Sequence, residues 1–109
     1  MRRPLKYYQV VTACPSSREA RKIARTVVEE RLAGCAQVYW PIASTYWWQG
    51  KIEDGREWLC VMKCVVSRYR RLESRIAQLH SYTLPEILAV PIAVGNLKYL
   101  EWLAKEAGI

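Results

Sequence analysis

The chain has 109 residues, of which 51% are hydrophobic and 25% are charged. This length is enough for a single domain with its own apolar core, over residues 1–109, and this composition excludes disordered and fibrous proteins. Lysine and arginine number 17 against 10 acidic residues, a net charge of +7 that favours acidic partners. No apolar run approaches the roughly 18 residues of a membrane-spanning helix, so we expect no membrane span.

The aromatic residues are unevenly distributed among types, with seven Tyr, five Trp and no Phe. Tyr and Trp combine a large apolar body with a polar group, and they are enriched where one protein surface is buried against another. We therefore expect some of these side chains to lie in an interface.

The four cysteines are Cys14, Cys35, Cys60 and Cys64. Their even number is compatible with two disulfides, but the first ten residues (MRRPLKYYQV) lack the apolar segment of a secretory signal. This pattern favours reduced thiols in a cytoplasmic protein.

The first third of the chain predicts a strand followed by a helix. Residues 7–14 (YYQVVTAC) are β-branched and aromatic, which indicates a strand that ends at Pro15. Ser16 and Glu19 match the S-x-x-E capping box that begins a helix, and Gly34 is the predicted C-terminal cap. The predicted apolar face of this helix consists of Ala20, Ile23, Ala24, Val27, Val28 and Leu32.

The middle of the chain predicts a long hairpin. Residues 35–52 are rich in strand-forming side chains, and Pro41 and Gly50 indicate an edge strand or a bulge. Asp54-Gly55 is the predicted hairpin turn, and residues 58–66 form the returning strand.

The last part of the chain predicts two helices and a strand. The second helix begins at Ser67, a loop covers residues 80–85, and a fourth strand covers residues 87–94 with Pro91 at an edge or bulge. A terminal helix follows over residues 97–107. The inward positions of the second helix are Tyr69, Leu72, Ile76 and Leu79.

The order β-α-β-β-α-β with a terminal helix predicts an α+β, ferredoxin-like split βαβ fold, with both crossover helices on one face of an antiparallel sheet. The hairpin is longer than typical strands require, so its far end projects from the domain. There Tyr46, Trp47 and Trp48 are exposed unless a second copy of the chain covers them.

Four blocks of the sequence resemble signatures of the CutA family of divalent-cation tolerance proteins, in the family's order and spacing. Residues 30–35 (ERLAGC) resemble E-x-L-A-A-C, and residues 44–52 (STYWWQGKI) resemble S-x-Y-x-W-x-G-K-I. Residues 80–86 (HSYTLPE) resemble H-P-Y-x-x-P-E, and residues 99–102 (YLEW) resemble Y-L-x-W. The resemblance covers about residues 7–102.

The resemblance implies a tight homotrimer whose long hairpins pair with neighbouring sheets, and a role in tolerance of copper and other divalent ions without an established catalytic reaction. Its interface residues are expected to be Tyr46, Trp47, Trp48 and Trp102.

The resemblance also implies a copper site that uses a first-strand cysteine and a histidine near the end of the second helix. His80 matches that histidine, whereas the family's cysteine aligns with Thr12, and Cys14 lies two residues further along the same face. Glu86 is the nearest carboxylate beyond the histidine. We therefore expect copper or another divalent ion at His80, Cys14 and Glu86, with the pKa of Cys14 lowered by the adjacent helix N-terminus.

Cys60 and Cys64 are expected to be packing residues, because four residues of strand span about 13 Å, too far for one ion. Two other classes of function stay open. A trimer of this kind can bind a protein or a small molecule in its intersubunit clefts, and a basic ferredoxin-like sheet can bind nucleic acid, although the RNP signature is absent. Two helical stripes of basic residues could form a patch for such binding: Arg18, Arg21, Lys22 and Arg25 on the first helix, and Arg68, Arg71 and Arg75 on the second.

Overall fold

The computed structural model describes residues 6–108, which fold into one four-stranded antiparallel sheet and three α-helices. The strands are β1 (Tyr7–Cys14), β2 (Cys35–Trp48), β3 (Lys51–Val65) and β4 (Ile87–Pro91). The α-helices are α1 (Ser17–Glu29), α2 (Tyr69–Leu79) and α3 (Leu97–Glu106), and a 3-10 turn (Val66–Arg68) precedes α2. The sheet order β2-β3-β1-β4 is that of the predicted ferredoxin-like fold.

The start of α1 is as predicted, and its end is not. The Oγ of Ser16 accepts the main-chain N–H of Glu19 at 3.1 Å, which caps the helix. The helix ends at Glu29, however, and the left-handed residue that follows it is Arg31 (φ 59°). The predicted cap at Gly34 is therefore wrong. Gly34 is instead buried beneath Leu103 of α3, where a Cβ would clash with the leucine Cδ1.

The hairpin is long, as predicted, but its turn lies five residues earlier than Asp54-Gly55. Trp48 pairs with Lys51, so the turn consists of Gln49 (φ 50°) and Gly50 (φ 80°). Two central residues with positive φ form the hairpin turn that suits the natural twist of the strands. Asp54 and Gly55 lie inside β3, opposite Thr45 and Ser44.

The irregularity predicted at Pro41 is present. The β2–β3 pairing shifts its register between Tyr39 and Ile42, and β2 is an edge strand of the protomer. Proline has no N–H to donate to a neighbouring strand, so such a position suits it. β4 lies at the opposite edge and ends at Pro91 rather than at residue 94.

The main core lies between the sheet and helices α1 and α2. Val10, Met62, Ile23 and Leu72 are fully buried in it. Cys60 and Cys64 are fully buried in the same core, which confirms that they are packing residues. A smaller cluster, centred on Leu103, Ala104 and Ala107, joins α3 to the ends of β1 and β3. None of the helices among residues 6–108 has both the length and the apolar character needed to cross a lipid bilayer.

Candidate functional site

The end of α2 packs against the end of β1 and brings two predicted residues together. His80 directly follows α2, and its side chain is fully buried. Cys14 is the last residue of β1 and is also fully buried. The Sγ of Cys14 lies 3.9 Å from the Nε2 of His80, although the two residues are 66 positions apart in the sequence.

The carboxylate beside this pair belongs to Glu19, in the first turn of α1. Its Oε2 lies 3.4 Å from the Nδ1 of His80 and accepts the main-chain N–H of Ser81 at 3.2 Å. The ligand atoms of Cys14, Glu19 and His80 lie within 4.8 Å of one another. We call these three residues the thiol–imidazole cluster; among residues 6–108 it is the one group of three metal-ligating side chains at this spacing.

The structure places the other two candidates outside this cluster. Glu86 is exposed and lines a separate cavity between the hairpin and the loop after α2. Thr12 is fully buried, and its hydroxyl has no hydrogen-bond partner among the described residues. Of the two first-strand positions, Cys14 is therefore the one that joins His80.

Glu19 was missed because its sequence pattern has another explanation. The S-x-x-E motif accounts for Glu19 as a helix-capping residue, and its main-chain N–H does bond to Ser16. Its carboxylate, however, reaches the loop after α2 rather than the start of its own helix. Only the packing of that loop against α1 reveals this role.

The hydrogen bonds of His80 define its tautomer. The carbonyl oxygen of Ala13 lies 2.8 Å from Nε2 and can only accept, so Nε2 carries the proton and donates it. The main-chain N–H of Tyr82 donates to Nδ1 at 3.1 Å, so Nδ1 is an acceptor. Both ring nitrogens are thus engaged by the protein's own main chain.

The thiol of Cys14 is held in its protonated form. Burial raises its pKa to about 12, and the negative charge of Glu19 acts in the same direction. The predicted lowering of this pKa by the N-terminus of α1 is therefore wrong. Removal from water disfavours the thiolate more than the nearby helix end favours it.

The donor types and the spacing of the cluster fit a soft or borderline divalent ion. Imidazole nitrogen and thiolate sulfur are ligands of copper and zinc, and a carboxylate supplies an oxygen donor. The donor atoms are nevertheless protonated or hydrogen-bonded within the protein. An ion at this position has to displace a proton from Cys14 and a hydrogen bond from His80.

The four predicted interface residues are all exposed in the protomer. Trp47, near the tip of the hairpin, is 72% exposed, and Tyr46 and Trp48 beside it are nearly half exposed. Trp102 lies on α3, where its ring is 5.5 Å from that of Tyr99. The molecule is elongated, at 53 × 25 × 22 Å.

Comparison with known proteins identifies the fold and the family together. The family model of the CutA1 divalent ion tolerance protein matches residues 8–106. The Divalent-cation tolerance protein CutA of Thermus thermophilus is 42% identical over 99 residues, which cover 91% of this chain and 96% of that protein. The chloroplastic protein CutA 1 of rice, Oryza sativa subsp. japonica, is 37% identical over 94 residues. That match covers 86% of this chain but 53% of the rice protein, so the chain spans about half of that relative.

A solved structure agrees with this assignment. The divalent cation tolerance protein (Cut A1) from Thermus thermophilus superposes with a TM-score of 0.91 at 41% sequence identity, covering 94% of this chain and 99% of that one. Sequence and fold therefore lead to one conclusion: the chain belongs to the CutA1 family of divalent ion tolerance proteins.

Proposed function

We propose that this protein is a homotrimeric, non-catalytic binding protein of the divalent-metal response, and that it binds copper or a related soft divalent ion. Family membership supports the role in cation tolerance. One observation carries the copper proposal, the 3.9 Å approach of the Cys14 sulfur to the Nε2 of His80. Sulfur and imidazole nitrogen at this spacing are a donor pair for copper.

His80 and Cys14 supply the soft donors in this proposal. Glu19 is the oxygen donor that the cluster contains, and Glu86 is the donor that the sequence predicts. Bound copper would supply a fixed positive charge to the end of β1, with no reaction. Because Cys14 has to lose its proton, we expect the affinity for copper to increase with pH.

Anaerobic titration of the reduced protein with copper tests this proposal. His80→Ala should weaken binding by at least roughly tenfold, which is the typical effect of losing even a residue that only supports a ligand. Glu19→Gln and Glu86→Gln distinguish the two oxygen donors, since only the true ligand should weaken binding when changed. Cys64→Ala is the control, because Cys64 is buried in the core and pairs with Tyr8, at the opposite end of β1 from Cys14. If His80→Ala binds copper as tightly as the parent, the copper proposal is wrong.

The homotrimer is proposed from two exposed apolar surfaces. The first is the hairpin tip with Trp47. The second is the sheet face opposite α1 and α2, where alternation along the strands places Val11, Leu88 and Val90. Leu88 and Val90 are more than half exposed. A sheet face of this composition normally packs against another layer, and a second copy of the chain supplies one.

Light scattering tests the oligomeric state. A trimer has three times the 12.7 kDa mass of the chain. Trp47→Glu and Val90→Glu should shift the mass towards that of the protomer, whereas Glu101→Gln on the outside of α3 should leave it unchanged. A parent protein at 12.7 kDa would rule the trimer out.

We also propose that residues 1–109 form one domain and that the protein is cytoplasmic. The match over residues 8–106 supports the single domain. The four free thiols support a reducing compartment, although the rice relative is named chloroplastic. Thiol alkylation of the denatured, unreduced protein should give four adducts by mass spectrometry. Two native disulfides, which would leave no adduct, would contradict the cytoplasmic proposal.

Nucleic acid is not proposed as a partner. The basic stripes lie on α1 and α2, apart from Arg68 in the 3-10 turn before α2. Two of their residues are engaged in ion pairs, Arg25 with Glu29 and Arg75 with Glu30. Recognition of RNA by a sheet of this fold uses aromatic residues on the opposite, open face.

A further inference from the structure

A cavity of about 630 Å³ lies between the hairpin and the loop after α2, next to the thiol–imidazole cluster. Ala13 and Ser81 belong to its wall, so the main chain that bonds to the cluster also separates it from the cavity. This volume is within the range of small-molecule sites in proteins. A copper ion at His80 would not occupy this cavity, so the proposed copper site does not account for the cavity.

The charge of this cavity is opposite to that of the chain. Its lining contains two carboxylates, Glu57 and Glu86, and no lysine, arginine or histidine, in a protein of net charge +7. Neither carboxylate belongs to a salt bridge among the described residues. A positively charged ligand is therefore the natural occupant, because it would neutralise charge that the protein leaves unneutralised.

The position of one carboxylate is fixed by its neighbour. The hydroxyl of Tyr82 donates to the Oε2 of Glu57 at 3.1 Å. A carboxylate oxygen can only accept, so the tyrosine hydroxyl is the donor, and it holds Glu57 in place before any ligand arrives.

The remaining walls are aromatic. Tyr46 and Trp48 stand two residues apart on β2 and both line the cavity, together with Tyr82 from the loop. Trp47 between them is not part of the lining and stays available for the trimer interface. Of the three hairpin aromatics predicted to lie in that interface, Tyr46 and Trp48 are therefore assigned to the cavity instead. Aromatic faces attract organic cations through their quadrupoles and pack against apolar groups, whereas a strongly hydrated metal ion gains little from them.

From the pairing of unneutralised carboxylates with aromatic walls, we propose that this cavity binds a small organic ammonium compound, with Glu57 and Glu86 recognising the charge and Tyr46, Trp48 and Tyr82 recognising an apolar body. A metal ion is a less suitable occupant of this cavity. Among residues 6–108, the group of three metal-ligating side chains close enough to share one ion is the thiol–imidazole cluster, and the cavity lining holds no such group. The proposal goes beyond copper binding and rests on Glu57, which takes no part in the copper site. Assigning Glu86 to this cavity leaves Glu19 as the oxygen donor for copper.

Calorimetric titration of the full chain with phenethylamine tests the proposal, with 2-phenylethanol as the uncharged probe of nearly equal shape. Phenethylamine should bind at least about tenfold more tightly than 2-phenylethanol, because only the amine carries the charge that the carboxylates recognise. Equal binding of the two compounds, or no binding of either, would overturn the proposal. If the two organic probes bind equally and millimolar magnesium displaces the amine, the cavity binds hard cations. That result would also overturn the proposal.

Matched variants locate the site. Glu57→Gln keeps an acceptor for Tyr82 but removes the charge, and it should weaken phenethylamine binding about tenfold while copper binding stays unchanged. Tyr82→Phe should weaken it by less, since the carboxylate remains but is no longer held in position. Glu101→Gln, an exposed carboxylate on α3, should have no effect. Unchanged amine binding by Glu57→Gln would show that the amine binds elsewhere.

Discussion

His80 and Ala13 are joined by a 2.8 Å hydrogen bond, in which the imidazole Nε2–H donates to the last main-chain carbonyl before Cys14. The same ring accepts the N–H of Tyr82, so one buried side chain links the end of β1 to the loop after α2. The residue that resembles a family metal ligand is therefore also a structural connector. We therefore expect loss of His80 to affect stability as well as the proposed binding of copper.

His80→Ala should reduce the free energy of unfolding by about 2 kcal/mol or more, because it leaves the Ala13 carbonyl and the Tyr82 amide without their partner. Urea denaturation followed by far-ultraviolet circular dichroism measures this change. Glu86→Gln is the control and should lie within about 0.5 kcal/mol of the parent, since Glu86 is exposed. Equal stability of His80→Ala and the parent would contradict the connector role.

Thr12→Val should stabilise the protein or leave its stability unchanged. The hydroxyl of Thr12 is fully buried without a hydrogen-bond partner among the described residues, and valine has nearly the same shape. Removing an unsatisfied buried polar group gains up to about 1–3 kcal/mol. Thermal unfolding measures the effect, with Thr26→Val as the contrast, because the Thr26 hydroxyl donates to the Lys22 carbonyl at 2.8 Å. Clear destabilisation by Thr12→Val would indicate that its hydroxyl has a partner in the native protein.

Two glycine substitutions distinguish the hairpin turn from the predicted one. Gly50→Ala should cost roughly 1–2 kcal/mol, because φ at this position is 80° and alanine is strained there. Gly55→Ala should be neutral or stabilising, since its Cβ would meet no atom within 4 Å and alanine suits a strand better than glycine does. Denaturant midpoints of the two variants give the comparison. If Gly55→Ala is the more destabilising of the two substitutions, the turn lies at Asp54-Gly55.

The buried thiols should make the protein less stable in alkali. Burial raises the pKa of Cys14 and Cys60 to about 12, and that of Cys64 to about 11, from an ordinary value of 9.0. The unfolded chain therefore releases these protons above about pH 9, while the folded chain keeps them. The free energy of unfolding should fall as pH rises through this range, by up to about 1.4 kcal/mol per pH unit for each thiol.

Urea midpoints at pH 8, 9 and 10 measure this slope under reducing conditions. Cys64→Ala should have a shallower slope than the parent, because it has one buried thiol fewer. Midpoints that do not change between pH 8 and 10 would mean that the thiols are not held protonated by the fold.

The sequence alone was sufficient for the order of the elements, the ferredoxin-like topology and the family. These follow from local patterns, such as the strand-forming run of residues 7–14 and the S-x-x-E motif at Ser16. Such patterns act through main-chain hydrogen bonds and the spacing of apolar side chains, which depend mostly on near neighbours in the chain.

The tertiary structure decided the rest, because it depends on contacts between residues far apart in sequence. The hairpin turns at Gln49–Gly50 rather than at the stronger local signal Asp54-Gly55, since the pairing of β2 with β3 sets the register. Glu19 joins Cys14 and His80 only because α1 packs beside the loop after α2. The Cys14 thiol is protonated because the fold removes it from water, an effect that exceeds the helix-end effect its sequence position predicts.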